Sequence, residues 1–469
     1  MFAKIQRVHF VGIGGIGMSG IAEVLLNLGY KVSGSDLRHS AVTARLTGLG
    51  AVIDDSHRAE NVVGAEVVIV SSAIAQGNPE VIAAHELHIP VIQRAEMLAE
   101  LMRLKYGIAI AGMHGKTTTT SMVASVLTAG GLDPTVVVGG RVDTMGSNAR
   151  LGQSQYLVAE ADESDRSFLR LSPILAVVTN LDREHMDCYR DMADVENAFI
   201  EFMDKVPFYG ACIACADDPQ LAGILPRVRR RVFTYGATSK ADFVLRMLPA
   251  APFEENAGPR QCLSRFEVAA GGEVYGPLEL HVPGIHNVLN ATAAVAIAAQ
   301  LEIKPEAIAA GLKAFRGVDR RFQVKGCVRG VTVVDDYGHH PTEIRATLRA
   351  ARDCGYRAVH VIFQPHRYSR TRDLLNEFVY AFDDAASVQI LDIYAASEEP
   401  VEGITAQALV KAIRQNQTGH EPIEYAASSD EAIARTLARA VEGEVILTLG
   451  AGSVSYLAPV VLEKLEAKS

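Results

Sequence analysis

The chain has 469 residues, of which 49% are hydrophobic and 21% are charged, and its formal net charge is -10 at pH 7. This length predicts about three domains, because a single hydrophobic core rarely serves more than about 250 to 300 residues. The acidic balance argues against a nucleic-acid partner, since phosphate binding over a large surface needs clustered Lys and Arg. No apolar run approaches the roughly 18 residues of a membrane span, so we expect no membrane partner.

The first residues, MFAKIQRVHFVGIGG, run from a short basic stretch directly into a strand and a glycine loop, without a signal-peptide cleavage site. Six cysteines in so long a chain are typical of a reducing compartment, so we expect a cytoplasmic protein. Cys212 and Cys215 have CxxC spacing, but no second pair completes a zinc site. Both are therefore predicted to be core residues.

Three apolar strands each lead into a glycine loop and a helical pattern, in RVHFVGIGGIGMSG, YGIAIAGMHGKTTTT and EVILTLGAGSVSY. This strand–loop–helix unit is typical of nucleotide-binding α/β folds. Strands alternate with helical stretches over most of the chain, which predicts the α/β class, and glycine turns between residues 242 and 284 predict a β meander. The predicted domains are residues 1–104, 105–316 and 317–469.

The first glycine loop, residues 12–17, fits the pattern GxGxxG, and Asp36 stands at the end of the next strand. Such glycines let the backbone approach a diphosphate, whose charge is favoured at the N-terminus of the following helix. Asp36 can accept hydrogen bonds from a ribose or a base. The pattern predicts phosphate binding but leaves NAD, FAD and a UDP-sugar open as ligands, with a structural turn as the alternative.

The second glycine loop, GMHGKT, resembles a shortened phosphate loop at the start of a helix. The backbone N–H groups of such loops surround the phosphates of a nucleotide. Lys116 can neutralise charge on a transferred phosphoryl group, and Thr117 can bind Mg²⁺ through its hydroxyl. The spacing departs from GxxxxGK[ST] because residue 110 is Ile110. The loop is still predicted to bind ATP.

Two polar segments follow the apolar runs YLVA and ILAVV, namely EADESD, which begins at Glu160, and TNLDREHMDCY, which contains His185. Parallel sheets bind ligands at the carboxyl ends of their strands, so both segments are expected to meet the GKT loop. Glu160 offers a hard oxygen ligand for Mg²⁺ or Mn²⁺, and His185 can bind the metal or a phosphate. An ordinary run of acidic helix caps is the alternative interpretation.

A series of motifs spans nearly the whole chain: GIGGIGMSGIA, SSAI with NPE, GMHGKTTTT, EADESD, HMDCY, HNVLNA, GVDRRFQ, DDYGHHPTE and FQPHRYSRT. In this order they resemble the UDP-N-acetylmuramate:L-alanine ligase family, a branch of the muramyl ligases. The resemblance implies a Rossmann-like UDP-binding domain, a central P-loop ATPase-like domain and a C-terminal Rossmann-like domain. It also implies ATP-dependent ligation of L-alanine to the lactyl carboxylate of UDP-N-acetylmuramate in peptidoglycan synthesis.

The resemblance also assigns residues to each ligand. The residues assigned to the UDP-sugar are Gly12, Gly14, Gly15, Ile16, Gly17, Asp36, Ser71, Ser72, Ala73 and Ile74. Those assigned to ATP are Gly112, Met113, His114, Gly115, Lys116, Thr117, Thr118, His286, Asn287, Asn290, Arg321 and Asp336. The amino-acid residues are Tyr337, His339, Arg367 and Arg370, and the metal ligands are Thr117, Glu160 and His185. Those expected to act in catalysis are Lys116, His185, His339 and Arg370.

The chemistry of the residues agrees with this assignment. A carboxylate does not react with an amine near neutral pH, so its activation as an acyl phosphate by ATP would explain two phosphate loops. His339 or His340 can accept the proton of the amine, with helix capping as the alternative. Arg367 and Arg370 suit the carboxylate of the amino acid, with surface ion pairs as the alternative.

Other functions fit fewer of these motifs. A ligase of the same fold that adds a recycled tripeptide or D-glutamate is disfavoured by GIGGIGMSG and HMDCY. An NAD-dependent oxidoreductase would leave GMHGKTTTT and EADESD without a purpose. A non-catalytic nucleotide-binding regulator would not need the amino-acid residues Arg367, Arg370 and His339.

Overall fold

The computed structural model describes residues 5–71, 73–142, 147–249, 262–416 and 422–467. These residues form three β-sheets with helices between the strands, which confirms the α/β class. The chain divides into two compact units. Unit 1 comprises residues 1–248, 266–279 and 289–316, and unit 2 comprises residues 249–265, 280–288 and 317–469. The boundaries predicted after residues 104 and 316 stay predictions.

The first sheet, in unit 1, has five parallel strands in the order β3-β2-β1-β4-β5. Its elements are β1 (Arg7–Val11), α1 (Ile16–Asn27), β2 (Lys31–Ser35), α2 (Ala41–Gly48), β3 (Val52–Asp54), β4 (Val67–Val70), α3 (Pro79–Glu86), β5 (Val91–Gln93) and α4 (Arg94–Arg103). The strand order reverses between β1 and β4, and parallel sheets bind ligands at such a switch point. The first glycine loop follows β1 at this place.

The second sheet has ten strands in the order β15-β14-β13-β12-β11-β10-β6-β9-β7-β8. It lies in unit 1, except for residues 264–265 at the start of one strand, residue 280 at the end of the next strand and residues 285–288 at the start of the helix after it. The elements are β6 (Tyr106–Ala111), α5 (Lys116–Ala129), β7 (Thr135–Val142), β8 (Ser147–Arg150), β9 (Tyr156–Glu160), β10 (Leu175–Val178), α6 (Met192–Asp204), β11 (Ala211–Cys215), α7 (Pro219–Ile224), β12 (Val232–Gly236), β13 (Phe243–Met247), β14 (Ser264–Ala270), β15 (Glu273–Leu280), α8 (Ile285–Gln300) and α9 (Pro305–Ala314). The consecutive strands β13, β14 and β15 form the predicted meander.

The third sheet, in unit 2, has six strands in the order β16-β17-β21-β18-β19-β20, with β16 as an antiparallel edge strand. The elements are β16 (Gln323–Val328), β17 (Val331–Asp336), α10 (Pro341–Asp353), β18 (Val359–Phe363), α11 (Tyr368–Asp373), α12 (Leu375–Phe378), β19 (Ser387–Ile390), α13 (Ala406–Asn416), β20 (Ile423–Tyr425), α14 (Ser429–Arg439), β21 (Val445–Leu449) and α15 (Leu457–Ala467). All five residues of β18 are buried, and its apolar side chains pack on both faces, as expected of a parallel sheet between helices.

The cysteines give a mixed result. Cys212 and Cys215 are buried on β11, as predicted. Cys262 and Cys354, however, form a disulfide within unit 2, which the sequence analysis did not predict. The pair is 92 residues apart in sequence, so no local spacing could have indicated it. Within the described ranges no helix is both long and apolar enough to cross a membrane.

Candidate active site

Three adjacent parallel strands of the second sheet bring the predicted ATP residues of unit 1 to one edge. Strand β6 lies between β10 and β9 and is parallel to both. The GKT loop follows β6, Glu160 is the last residue of β9, and Thr179 follows β10. This arrangement confirms that both polar segments meet the second glycine loop.

The second glycine loop needs glycine at two positions. Gly112 has a φ of +129° and Gly115 has a φ of +84°, which side chains other than glycine rarely adopt. A Cβ at Gly112 would overlap the hydroxyl of Thr179. A Cβ at Gly115 would lie 2.8 Å from Oδ1 of Asn290. Asn290, which was predicted to lie near ATP, is therefore packed against this loop.

The segment after β10 holds the loop from one side. Asn180 accepts from the backbone N–H of His114 at 2.8 Å through Oδ1 and donates to its carbonyl at 3.0 Å through Nδ2. Thr179 Oγ1 donates to the same carbonyl at 2.6 Å, and the N–H of Met113 donates to the Asn180 carbonyl. The His114 ring lies 2.9 Å from Asp182. Sequence reasoning missed Thr179 and Asn180, although both stand in the TNLD motif.

Lys116 is paired with a buried carboxylate on the other side of the loop. Its Nζ lies 2.7 Å from Oε1 of Glu163 and also donates to the Gly112 carbonyl at 2.8 Å. Burial lowers the pKa of Lys116, but the charges of Glu163 and Glu160 outweigh burial and raise this pKa, so the ammonium is kept. Burial also raises the pKa of Glu163 to about 7. Glu163 was not singled out from the sequence.

The predicted metal ligands lie around the same carboxylates. Thr117 Oγ1 donates to Oε2 of Glu160 at 2.8 Å, and Nε2 of His185 lies 3.6 Å from Oε1 of Glu163. The Oε2 atom of Glu163 is buried and has no hydrogen-bond partner in the part of the chain that the structure describes. Hydroxyl and carboxylate oxygens are the donors that Mg²⁺ prefers, so this set fits a divalent cation. Thr118 is buried in the first turn of α5.

The first glycine loop is tied to the end of β2. The N–H groups of Gly12 and Ile13 both donate to the carbonyl of Ser35, at 2.8 and 3.0 Å. The N–H of Gly14 donates to Oδ2 of Asp36 at 2.9 Å. Asp36, which was predicted to face the ribose or base, therefore holds the loop itself in this structure.

The segment after β4 borders the same loop. A Cβ at Gly12 would lie 3.3 Å from the terminal δ-carbon of Ile74, so the two residues are in close contact. The N–H of Ile74 donates to the carbonyl of Ser71 at 3.1 Å, which closes a turn around Ala73. Ser72 lies outside the described residues.

Four of the predicted ATP residues, namely His286, Asn287, Arg321 and Asp336, lie in unit 2. Burial lowers the pKa of His286 to about 4, with a smaller contribution from the charge of Arg321, so the imidazole is neutral at pH 7. Arg321 forms an ion pair with Glu343 at 3.0 Å. Asn287, at the start of α8, donates to the carbonyl of Pro283 at 2.6 Å.

Asp336 ends strand β17 and holds nearby backbone. Its Oδ2 accepts from the N–H of Phe322 and its Oδ1 from the N–H of Gly338, both at 2.7 Å. Burial raises the pKa of the Asp336 carboxyl. The predicted contact between Asp336 and ATP stays a prediction.

The predicted amino-acid residues gather at one edge of the third sheet, together with His366, which was missed. The ring of His339 lies 5.3 Å from that of Tyr337 and 5.8 Å from that of His366. The Nη1 atom of Arg370 lies 3.1 Å from Nδ1 of His366. Burial lowers the pKa of His366 to about 3, helped by the positive charges around it. His366 stands in the QPHRYSRT motif, directly before Arg367.

Two further residues of this edge have defined backbone roles. Arg367 has a φ of +71°, and its N–H donates to the carbonyl of Tyr394 at 2.8 Å. His340 caps helix α10, because its Nδ1 accepts from the N–H of Thr342 at 3.2 Å. The capping alternative thus applies to His340, and the proton transfer expected of His339 stays a prediction.

A glycine loop with a buried lysine, carboxylates at the next strand end and a second glycine loop in a separate sheet together define the class of ATP-dependent α/β enzymes. Three family models match in order: the Mur ligase family, catalytic domain, at residues 7–106; the Mur ligase middle domain at 110–298; and the Mur ligase, glutamate ligase domain, at 320–452.

Comparison with individual relatives shows which Mur ligases this chain closely resembles in sequence. A UDP-N-acetylmuramate–L-alanine ligase of Acidobacterium capsulatum is 70% identical over 100% of this chain and 99% of its own, and one of Koribacter versatilis is 64% identical over the same shares. A crystal structure of a UDP-N-acetylmuramate–alanine ligase from Thermotoga maritima has a TM-score of 0.78 and 29% identity, covering 99% of this chain and 100% of that one. The chain belongs to the UDP-N-acetylmuramate–L-alanine ligases of the Mur ligase family.

Proposed function

We propose that this chain joins L-alanine to the lactyl carboxylate of UDP-N-acetylmuramate through an acyl phosphate and releases ADP and phosphate. Two relatives of 70% and 64% identity over the full chain support the substrates. The observation that carries the chemistry is the pairing of Lys116 with Glu163 and of Thr117 with Glu160 at the phosphate loop. We assign the step to peptidoglycan precursor synthesis in the cytoplasm.

The activation half of the reaction belongs to unit 1. Lys116 is held as an ammonium beside the loop, where it can stabilise charge on the transferred phosphoryl group. Thr117, Glu160, His185 and Glu163 would hold Mg²⁺ or Mn²⁺, and such an ion would screen the phosphate charges when bound. The backbone N–H groups at the start of α5 would orient the phosphates, since Asn180 and Thr179 hold the His114 carbonyl on the other side.

The amide-forming half would use unit 2. The guanidinium of Arg370 can donate two hydrogen bonds to the carboxylate of alanine, which fixes the direction of the amine. His339 would accept the proton that the attacking amine loses. His366 is neutral, because burial holds its pKa at about 3, so it adds no positive charge that would repel an incoming ammonium group.

Phosphate release with UDP-N-acetylmuramate and ATP tests this proposal, with L-alanine, D-glutamate and the recycled tripeptide added separately. We expect rapid release only with L-alanine. The Lys116→Ala variant is the control for contaminating phosphatases, because it should remain folded and release almost no phosphate. Faster release with the tripeptide or D-glutamate than with L-alanine would contradict the assignment, as would release that does not depend on UDP-N-acetylmuramate.

A further inference from the structure

Arg94 connects two parts of unit 1 that are proposed to bind different nucleotides. It is the first residue of α4, beside the first sheet, and its Nη2 donates to Oδ2 of Asp162 at 3.1 Å. Asp162 lies two residues after strand β9 of the second sheet. The Arg94 side chain is only 23% exposed, so it is largely enclosed by these two parts.

The other terminal nitrogen of Arg94, Nη1, lies beside Gly17 of the first glycine loop. Helix α1 begins at Ile16, directly after Gly15, and Gly17 is in its first turn. A Cβ at Gly17 would overlap Nη1 of Arg94 and lie 3.1 Å from its Cδ. Gly17, the last glycine of GIGGIG, therefore leaves room for the Arg94 guanidinium beside the N-terminus of α1.

Asp162 connects Arg94 to the turn that contains the partner of Lys116. Its Oδ1 accepts from the N–H and the hydroxyl of Ser164, at 3.1 and 2.6 Å, which fixes the turn after β9. Glu163, which directly follows Asp162 in the chain, is the partner of Lys116. The Arg94–Asp162 pair and the Lys116–Glu163 pair thus involve adjacent residues of one turn.

We propose that Arg94 is a positioning residue that couples binding of the UDP-sugar to binding of ATP. The inference rests on the proposed function, which assigns the UDP-sugar diphosphate to the first glycine loop and ATP to the Lys116 loop. A diphosphate at the N-terminus of α1 attracts the adjacent guanidinium. Any change in its pairing with Asp162 alters the segment that holds Glu163 against Lys116.

Such coupling is reciprocal, so each nucleotide changes the affinity for the other by the same factor. Calorimetry can measure this factor as the ratio of two Kd values for a non-hydrolysable ATP analogue with Mg²⁺, one without and one with saturating UDP-N-acetylmuramate. The same ratio is then measured for UDP-N-acetylmuramate without and with the saturating ATP analogue. We expect a factor of about 5 or more in the native chain, as is typical of linked sites. In Arg94→Gln the factor should fall below about 2, while each ligand still binds alone.

The partner residue provides a second test. Asp162→Asn should lose the coupling to the same extent as Arg94→Gln. The double variant should lose no more than either single variant, because the two residues act as one pair.

Arg170 offers a matched control. It also joins α4 to the segment after β9, through an ion pair with Glu96, and it lines the same open cavity of about 410 Å³ as Arg94. Its partner is Glu96 instead of Asp162, so Arg170→Gln should keep the coupling factor of the native chain. Three outcomes would overturn the inference. The coupling factor could fall as much in Arg170→Gln as in Arg94→Gln, it could be unchanged in Arg94→Gln, or it could equal 1 in the native chain. A native chain that binds neither nucleotide alone would contradict the proposed function itself.

Discussion

The buried carboxylate of Glu80 contacts four side chains near the first glycine loop. Its replacement should lower the free energy of unfolding of the part of the chain that contains the first sheet. The carboxylate is fully buried and accepts from Ser35 at 2.6 Å, His57 at 2.8 Å and Asn61 at 2.7 Å, with His9 at 3.4 Å. The carbonyl of the same Ser35 holds the glycine loop. Glu80→Gln keeps the shape of the side chain but removes its charge.

The magnitude follows from the shift in pKa. Burial raises the pKa of Glu80, but the contact with His9 and the hydrogen bonds from Ser35, Asn61 and His57 outweigh burial and hold it at about 2, against 4.5 in the unfolded chain. This difference corresponds to about 3 kcal/mol of stability at pH 7. A depressed carboxyl pKa stabilises the fold above pH 4.5, and the contribution is lost as the pH falls toward 2. At pH 3 roughly 40% of it should remain.

Urea unfolding followed by pulsed hydrogen exchange, read on peptides from β1 and β2, can measure this effect without a tryptophan. We expect Glu80→Gln to lower the free energy of unfolding by about 3 kcal/mol at pH 7, with the gap narrowing between pH 5 and pH 3. Glu86→Gln, at an exposed position of the same helix, should stay within about 0.5 kcal/mol. A gap below about 1 kcal/mol at pH 7, or one that widens at lower pH, would refute the reasoning.

Other predictions concern the reaction. Lys116→Ala should lower kcat by about 10³-fold or more but leave the Kd of UDP-N-acetylmuramate within about 2-fold, and equal losses in both would refute separate sites. Arg370→Lys should raise the alanine KM by about 10-fold, while borohydride still traps the acyl phosphate; an unchanged KM would remove Arg370 from the amino-acid site. Glu160→Gln should raise the Mg²⁺ concentration for half-maximal activity by about 10-fold, and an unchanged requirement would exclude Glu160 as a ligand.

The sequence was sufficient for the parts of the fold that depend on local patterns. Buried parallel strands are continuous apolar runs, and a glycine loop followed by a helix marks where each run ends. The runs before GIGGIG, GMHGKT and GAGS are strands β1, β6 and β21 in the structure. Asn290 could also be placed at the ATP loop, although only through the resemblance, since 175 residues separate it from Gly115.

The sequence was not sufficient where the path of the chain decides which of several similar residues is used. EADESD contains four carboxylates, and composition alone does not distinguish them. The turn between Asp162 and Ser164 places Glu163 beside Lys116. Glu163 was missed for that reason.

The order of strands explains how the ATP loop combines a rigid side with a charged side. Along the chain the order is β6, β9, β10, but β6 lies between the other two in the sheet. The loop after β6 therefore meets Thr179 and Asn180 on one side, where hydrogen bonds to the His114 carbonyl hold its backbone. On the other side it meets Glu160 and Glu163, whose charges suit a lysine and a divalent cation. Exchange of β9 and β10 in the sheet would also exchange the two sides, so it is this strand order that directs Lys116 and Thr117 toward carboxylates.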